Sequence, residues 1–181
     1  QDPGATLSPH RRIATTLRAA SPHDEPGALL ARVGLERELA ARYPHQLSGG
    51  QQQRAALALA IARAPRLLIL DEPTSSLDVL AAKEIRAELG TLRDDGVVLL
   101  WITHDLGVVA ELTDRAVILD TGRVAEDHRY DDVLTSPASP AARRLVDAAA
   151  APDHPGTSAA GTAAGRVRLA AAGLTVSYGR R

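Results

Sequence analysis

Leu67-Leu68-Ile69-Leu70-Asp71-Glu72-Pro73 sets four consecutive apolar residues directly before two carboxylates and a proline. An unbroken apolar run of this kind is what a strand covered on both faces requires, because such a strand has no wet side. Val97-Val98-Leu99-Leu100-Trp101-Ile102 repeats the pattern further on and runs into Thr103-His104-Asp105. Between the two, residues 79–94 carry Ile85, Leu89 and Leu92 at the spacing of one helix face, and Gly96 is placed to end that helix. Strand, helix, strand in this order predicts a parallel α/β sheet.

Working outward, Ser48-Gly49-Gly50 breaks the chain before a helical run to about Arg63, which Pro65 stops. Upstream, residues 10–20 and 27–42 read as helices of a small layer, separated by a Pro- and Gly-bearing turn. Downstream, a helix of roughly 105–112 leads to strands near 115–119 and 123–125 around Thr121-Gly122, then to helices near 130–135 and 138–150. Residues 151–165 are rich in Ala, Gly, Pro and Thr and read as a flexible linker. Beyond it, Val167, Leu169, Leu174 and Val176 give residues 166–178 a β character.

Composition narrows the chemistry. The 181 residues contain no cysteine, which excludes disulfides, thiolate metal sites and thiol catalysis. A net charge of -1 offers no basic field, so no nucleic-acid partner is expected. No stretch approaches the ~20 apolar residues that span a bilayer, so work at a membrane requires a partner. Aromatics are 2% of the chain, leaving the core to Leu, Val, Ile and Ala.

Three places carry chemistry. At Leu47-Ser48-Gly49-Gly50-Gln51, two glycines permit close backbone approach, and the helix that follows presents unpaired N–H groups and a positive dipole end. With the Ser48 hydroxyl this suits a phosphate, although a bare Ser-Gly-Gly turn is more often an ordinary helix cap. The longer string through Gln52-Gln53-Arg54 is what favours the phosphate reading. At the end of the first strand, Asp71 can hold Mg²⁺ and Glu72 is placed to orient or deprotonate an attacking water. An acidic helix cap after a strand would look similar, but Pro73-Thr74-Ser75-Ser76-Leu77-Asp78 is a more specific continuation than a generic turn. His104 follows the second strand at the same sheet edge, where ligands bind in open α/β folds.

Together these residues resemble the ATP-binding subunit of ABC transporters. Leu47 to Arg54 is similar to the signature motif, Leu67 to Glu72 to the Walker B strand with its catalytic glutamate, Ser76-Leu77-Asp78 to the D-loop, and His104 to the switch histidine. Gln1 is similar to the Q-loop glutamine, which touches Mg²⁺ or the attacking water. The opening Gln1-Asp2-Pro3 with Leu7-Ser8-Pro9 resembles the oligopeptide, dipeptide and nickel importer branch, and Ser139 to Leu145 loosely resembles that branch's tail, with alanines where Tyr-Thr would stand.

The resemblance implies ATP and Mg²⁺ as cofactors and a head-to-tail pair of ATPase domains. Ser48, Gly49 and Gln51 would bind the nucleotide held by a partner domain, Gly50 and Asp78 would also be nucleotide-binding, and Asp71, Glu72, His104 and Gln1 would serve this domain's own. It further implies membrane permease subunits, a solute-binding protein acting indirectly, and a place on the cytoplasmic face of the membrane.

One part of the pattern is lacking. The chain's single lysine, Lys83, lies in a helical stretch with no glycine loop before it, so no Gly-rich loop with a phosphate-binding lysine is present. The expected organisation is therefore an incomplete P-loop NTPase fold. Residues 1–150 form an ABC ATPase domain from the Q-loop onward, with a helical subdomain at about 5–48 and a core at about 49–150. Residues 151–165 are the linker, and residues 166–181 open a second such domain, as in a fused two-ATPase protein truncated at both ends. There Tyr178 reads equally as an adenine-stacking aromatic or an ordinary strand tyrosine. A non-transport ABC ATPase and a non-catalytic interaction fragment are the rival readings.

Overall fold

The computed structural model describes residues 6–75, 77–110, 112–150 and 169–172. They form two compact units. The first takes the described residues up to Leu68 together with Pro73–Val97, and the second takes Ile69–Glu72 and those from Val98 onward.

The first unit is helical. Helices α1 (Ile13–Ala20), α2 (Pro26–Arg32) and α3 (Gly49–Ala62) pack on one another, and α4 (Val79–Asp94) belongs to the same unit. Each is started by its sequence. Glu25 caps α2 by accepting from the N–H groups of Gly27 and Ala28, with Pro26 in the first turn where its missing N–H costs nothing. Asp78 caps α4 through the N–H of Ala81 at 2.9 Å. Ile85, Leu89 and Leu92 lie on the buried face of α4 as their spacing predicts. Two ties cross the unit: the Arg32 guanidinium meets Glu88 at 2.7 Å, and Arg54 donates to the carbonyl oxygen of Gly34 at 2.7 Å.

The helix expected over 27–42 stops at Arg32 instead. Gly34 takes a φ of 67°, in the left-handed region, and a Cβ there would run into the Glu84 carboxylate. The chain then continues as short 3-10 turns at Arg37–Ala41 and Pro44–Gln46.

The second unit carries most of a five-stranded sheet. Its strands are β1 (Leu67–Asp71), β2 (Val98–Thr103), β3 (Arg115–Asp120), β4 (Arg123–Arg129) and β5 (Leu169–Ala172), in the order β1-β2-β5-β3-β4. β5 runs parallel to both β2 and β3, with Ala172 in register with Thr103 and Ile118. Residues 169–172, assigned by the sequence to the opening of a second domain, are thus hydrogen-bonded within this sheet.

β3 and β4 form an antiparallel hairpin whose two-residue loop, Thr121-Gly122, has φ of 49° and 75°. Positive φ at both positions matches the twist of a tight hairpin. β4 is longer than its sequence suggests because it pairs along all of β3. The expected helix at 105–112 shortens to α5 (Leu106–Val109), and the Thr113 hydroxyl takes the Val109 carbonyl at 3.0 Å. Helices α6 (Tyr130–Thr135) and α7 (Pro140–Ala149) follow near their expected places.

The first two strands depart from expectation in one respect. Leu68 and Leu70 are buried, yet Leu67 is 51% and Ile69 59% exposed. β2 alternates likewise, with Leu99, Trp101 and Thr103 buried and Val98 exposed. Among the described residues, only one face of these strands is fully buried, with Leu100 and Ile102 half-buried on the other.

Glu126 fixes α7 to the sheet. It is buried on β4, and its carboxylate accepts from the N–H of Ala138 at 3.2 Å and of Ser139 at 2.9 Å, just ahead of Pro140. Burial acts to raise its pKa, but those two N–H groups, the Ser139 side chain and His128 together outweigh it and hold the carboxyl below its ordinary range. A depressed carboxylate pKa gives stability that is present above the unfolded value and lost as pH falls through the folded one. Glu126→Gln is expected to destabilise the protein by about 1–2 kcal/mol at neutral pH in urea unfolding. Its difference from wild type should shrink as pH drops through the carboxylate range.

Candidate functional site

The end of β1 turns sharply. Glu72 has a φ of 47°, a left-handed backbone that costs a non-glycine residue about 1–2 kcal/mol and points its side chain away from the strand's own alternation. Its N–H donates to the Ile102 carbonyl at 2.9 Å, which ties the turn to β2.

The Glu72 carboxylate is then held by the three residues at the end of that neighbour. Oε1 accepts from the His104 main-chain N–H at 3.1 Å and lies 2.6 Å from the His104 Nδ1. Oε2 accepts from the Thr103 hydroxyl at 3.3 Å. The Thr103 oxygen in turn accepts from the Asp105 N–H at 3.1 Å. The His104 side chain is 76% exposed and that of Glu72 34%, so the pair faces solvent on a rigid base. With Nδ1 engaged, Nε2 is the ring atom left to meet another group.

Asp71 ends β1 and is half-buried, one residue from this cluster. Among the described residues, no group of three His, Asp or Glu side chains forms a ready metal cage. A lone carboxylate at a strand end fits Mg²⁺, which keeps several waters and takes few protein ligands, and does not fit a cation that needs a full protein shell.

Behind His104, Asp105 caps α5 through the Gly107 N–H at 2.9 Å. Tyr130, buried at the start of α6, donates its hydroxyl to the Leu106 carbonyl at 2.6 Å. Burial first, then Asp105 and Asp131, push the Tyr130 pKa up to about 12, so it remains a donor across the physiological range. The loop bearing His104 is therefore anchored from both sides.

The first unit contributes a separate station. Ser48 caps α3, its hydroxyl oxygen accepting from the Gln51 N–H at 3.3 Å while Gln51 Oε1 accepts from the Ser48 N–H at 2.9 Å. This reciprocal box fixes the turn, and the Ser48 hydroxyl keeps its proton to donate. The first main-chain bond into the helix runs from Gln52 to Ser48, so Gly49 and Gly50 head α3 with N–H groups that have no helical acceptor. A Cβ at Gly49 would meet nothing within 4 Å, which leaves the turn open to a close ligand. These features fit an anion.

Comparison with known proteins converges on one group. The family profile described as ABC transporter matches residues 2–75. An oligopeptide transport ATP-binding protein of Salmonella typhimurium is 38% identical over 165 residues, covering 84% of this chain and 49% of its own length. A solved dimeric ATP-binding cassette, in a post-hydrolysis state with ADP and Pi, superposes with a TM-score of 0.64 at 28% identity, over 72% of this chain and 60% of that one.

The chain is a relative of the ABC transporter ATPases.

A peptidoglycan transport ATP-binding protein of Agrobacterium fabrum is a further relative, 44% identical over 124 residues that cover 66% of this chain and 22% of the relative. The chain spans about half the length of the Salmonella relative. No described helix of the chain is long and apolar enough to cross a membrane.

Of the residues singled out from the sequence, Asp71, Glu72 and His104 lie in the second unit, and the structure joins Glu72 to His104 directly. Ser48, Gly49, Gly50, Gln51 and Asp78 lie in the first. Asp78 is engaged as the cap of α4. Gln1, Ser76 and Tyr178 lie outside the described residues. Sequence reasoning missed Thr103 and Tyr130. The signal for Thr103 was available: it is a hydroxyl on the same buried alternation as Leu99 and Trp101, where a polar group needs partners. Ser48→Ala should cost about 1 kcal/mol in thermal or urea unfolding through loss of the cap, and Ser48→Gly only a few tenths.

Proposed function

We propose that this chain provides the signature turn and the hydrolytic carboxylate of an ATP-hydrolysing component of an ABC importer. The observation that carries the reading is the Glu72 carboxylate, set by a strained turn at a strand end and bound to the ring and main chain of His104. A carboxylate so fixed, yet open to solvent, can orient a water and accept its proton. His104 keeps Nε2 for a phosphate oxygen. Asp71 would hold Mg²⁺, directly or through water, with Gln1 as a second ligand. When bound, Mg²⁺ neutralises charge on the phosphate oxygens. Ser48, Gly49, Gly50 and Gln51 would bind phosphates of a nucleotide held by a second ATPase domain, with Asp78 beside them, and Tyr178 would stack on an adenine.

Two features support placing the phosphate-cradling loop elsewhere, in the rest of the polypeptide or in another subunit. The chain has no Gly-rich loop carrying lysine. Leu67 and Ile69 also lie open on a strand of the kind normally covered on both faces. The names of relatives such as the oligopeptide transport ATP-binding protein favour import of peptides, and the resemblance at Gln1-Asp2-Pro3 keeps nickel as the other cargo. Coupling would run through membrane permeases on the cytoplasmic face, with a solute-binding protein acting indirectly.

The test is phosphate release by the complete ATPase that supplies the loop. Glu72→Gln should slow turnover about 100-fold or more while ATP binding survives. The 181-residue chain alone should release negligible phosphate. Turnover by the chain alone that disappears in Glu72→Gln would contradict the placement of the loop. Unaltered turnover of the variant in the complete protein would remove Glu72 from this role. Nucleotide-independent binding to permease loops, with no turnover in any form, would favour a non-catalytic interaction module.

A further inference from the structure

Thr103 occupies a position with no surface role. It is 3% exposed at the end of β2, and its hydroxyl is used twice. The Asp105 N–H donates to Oγ1 at 3.1 Å, so the proton of the hydroxyl is turned toward Glu72, whose Oε2 accepts it at 3.3 Å. His104 holds only the other oxygen, Oε1.

A carboxylate gripped at one oxygen can still swing about its last torsion, which has a broad, shallow preference. Gripped at both, its plane is set. The β-branched side chain of Thr103 supports this, because few χ1 values are open to it. Glu72 is thereby defined at three levels: a left-handed φ sets its backbone, the bond to Ile102 sets its height against β2, and Thr103 with His104 sets the carboxylate plane.

We propose that Thr103 is a positioning residue for hydrolysis: its hydroxyl fixes the plane of the Glu72 carboxylate so that the carboxylate meets the attacking water in line. The inference rests on the reading of Glu72 as the hydrolytic carboxylate. Thr103 is buried and acts through the Glu72 carboxylate, so its effect belongs in the chemical step and not in ATP affinity.

The experiment measures kcat and KM for ATP in the complete ATPase with Thr103→Val, Thr103→Ser, Glu72→Gln and the Thr103→Val/Glu72→Gln double variant. Thr103→Val should lower kcat about tenfold, the effect of one lost oriented hydrogen bond, with KM within about twofold of wild type. Thr103→Ser should restore most of kcat. In the Glu72→Gln background, Thr103→Val should have no further effect, because the two act as one unit. Thr103→Ala, without added bulk, replaces the valine variant if that one melts early.

Wild-type kcat in Thr103→Val, a loss confined to KM, or a full multiplicative loss in the double variant would each overturn the proposal. Intact turnover in Glu72→Gln would instead overturn the functional reading beneath it. A normal Thr103→Val beside a crippled Glu72→Gln would sink the role of Thr103 alone.

Discussion

The site depends on how the end of β2 holds a single carboxylate. Glu72 would be an expensive residue on its own: its backbone is left-handed, and its charge stands at the rim of an apolar sheet. What offsets the cost is a set of bonds from consecutive residues of the neighbouring strand. The Ile102 carbonyl takes its N–H, Thr103 and His104 take its two oxygens, and Asp105 closes the loop through Thr103. Strand pairing and site assembly are thus one event. β2 cannot shift register by a residue without removing these bonds to Glu72, and a shift would also turn Trp101 out of the core.

The rest of the second unit keeps that strand end in place. Tyr130 ties the loop after His104 to the start of α6, and Glu126 ties α7 to β4 through two main-chain donors. Both are buried polar side chains with full use of their charge or proton, the arrangement in which a polar group inside a protein adds rigidity. The first unit is organised differently. Its phosphate-suited turn comes from a capping box and two glycines, and it needs only α3 and its neighbours to exist. Each unit therefore holds its own polar cluster with bonds made inside that unit.

Much of this was legible in the sequence because it rests on local rules. The helix cap at Ser48, the buried face of α4, the hairpin at Thr121-Gly122 and the nearness of Glu72 to His104 all follow from period, turn chemistry and strand order. What escaped the sequence depends on tertiary neighbours. The left-handed φ of Glu72 has no residue signature, since glycine is its usual marker. The short α2 reflects Gly34 lodged against Glu84, a contact between segments far apart in the chain. The alternating exposure of Leu67 to Leu70 contradicts a reading that was sound for a strand in a fully clothed sheet. The apolar side chains are written for a cover that the described residues do not supply.

That mismatch and the absence of a lysine-bearing glycine loop both support the proposal that this chain supplies the signature turn and the hydrolytic carboxylate while the grip on ATP lies elsewhere. Calorimetric titration of Mg-ATP into the 181-residue chain, beside the same titration into the complete ATPase, tests it most directly. The account predicts saturable binding by the complete protein and none by the chain at the same nucleotide concentrations. Stoichiometric binding of Mg-ATP by the chain alone would contradict it.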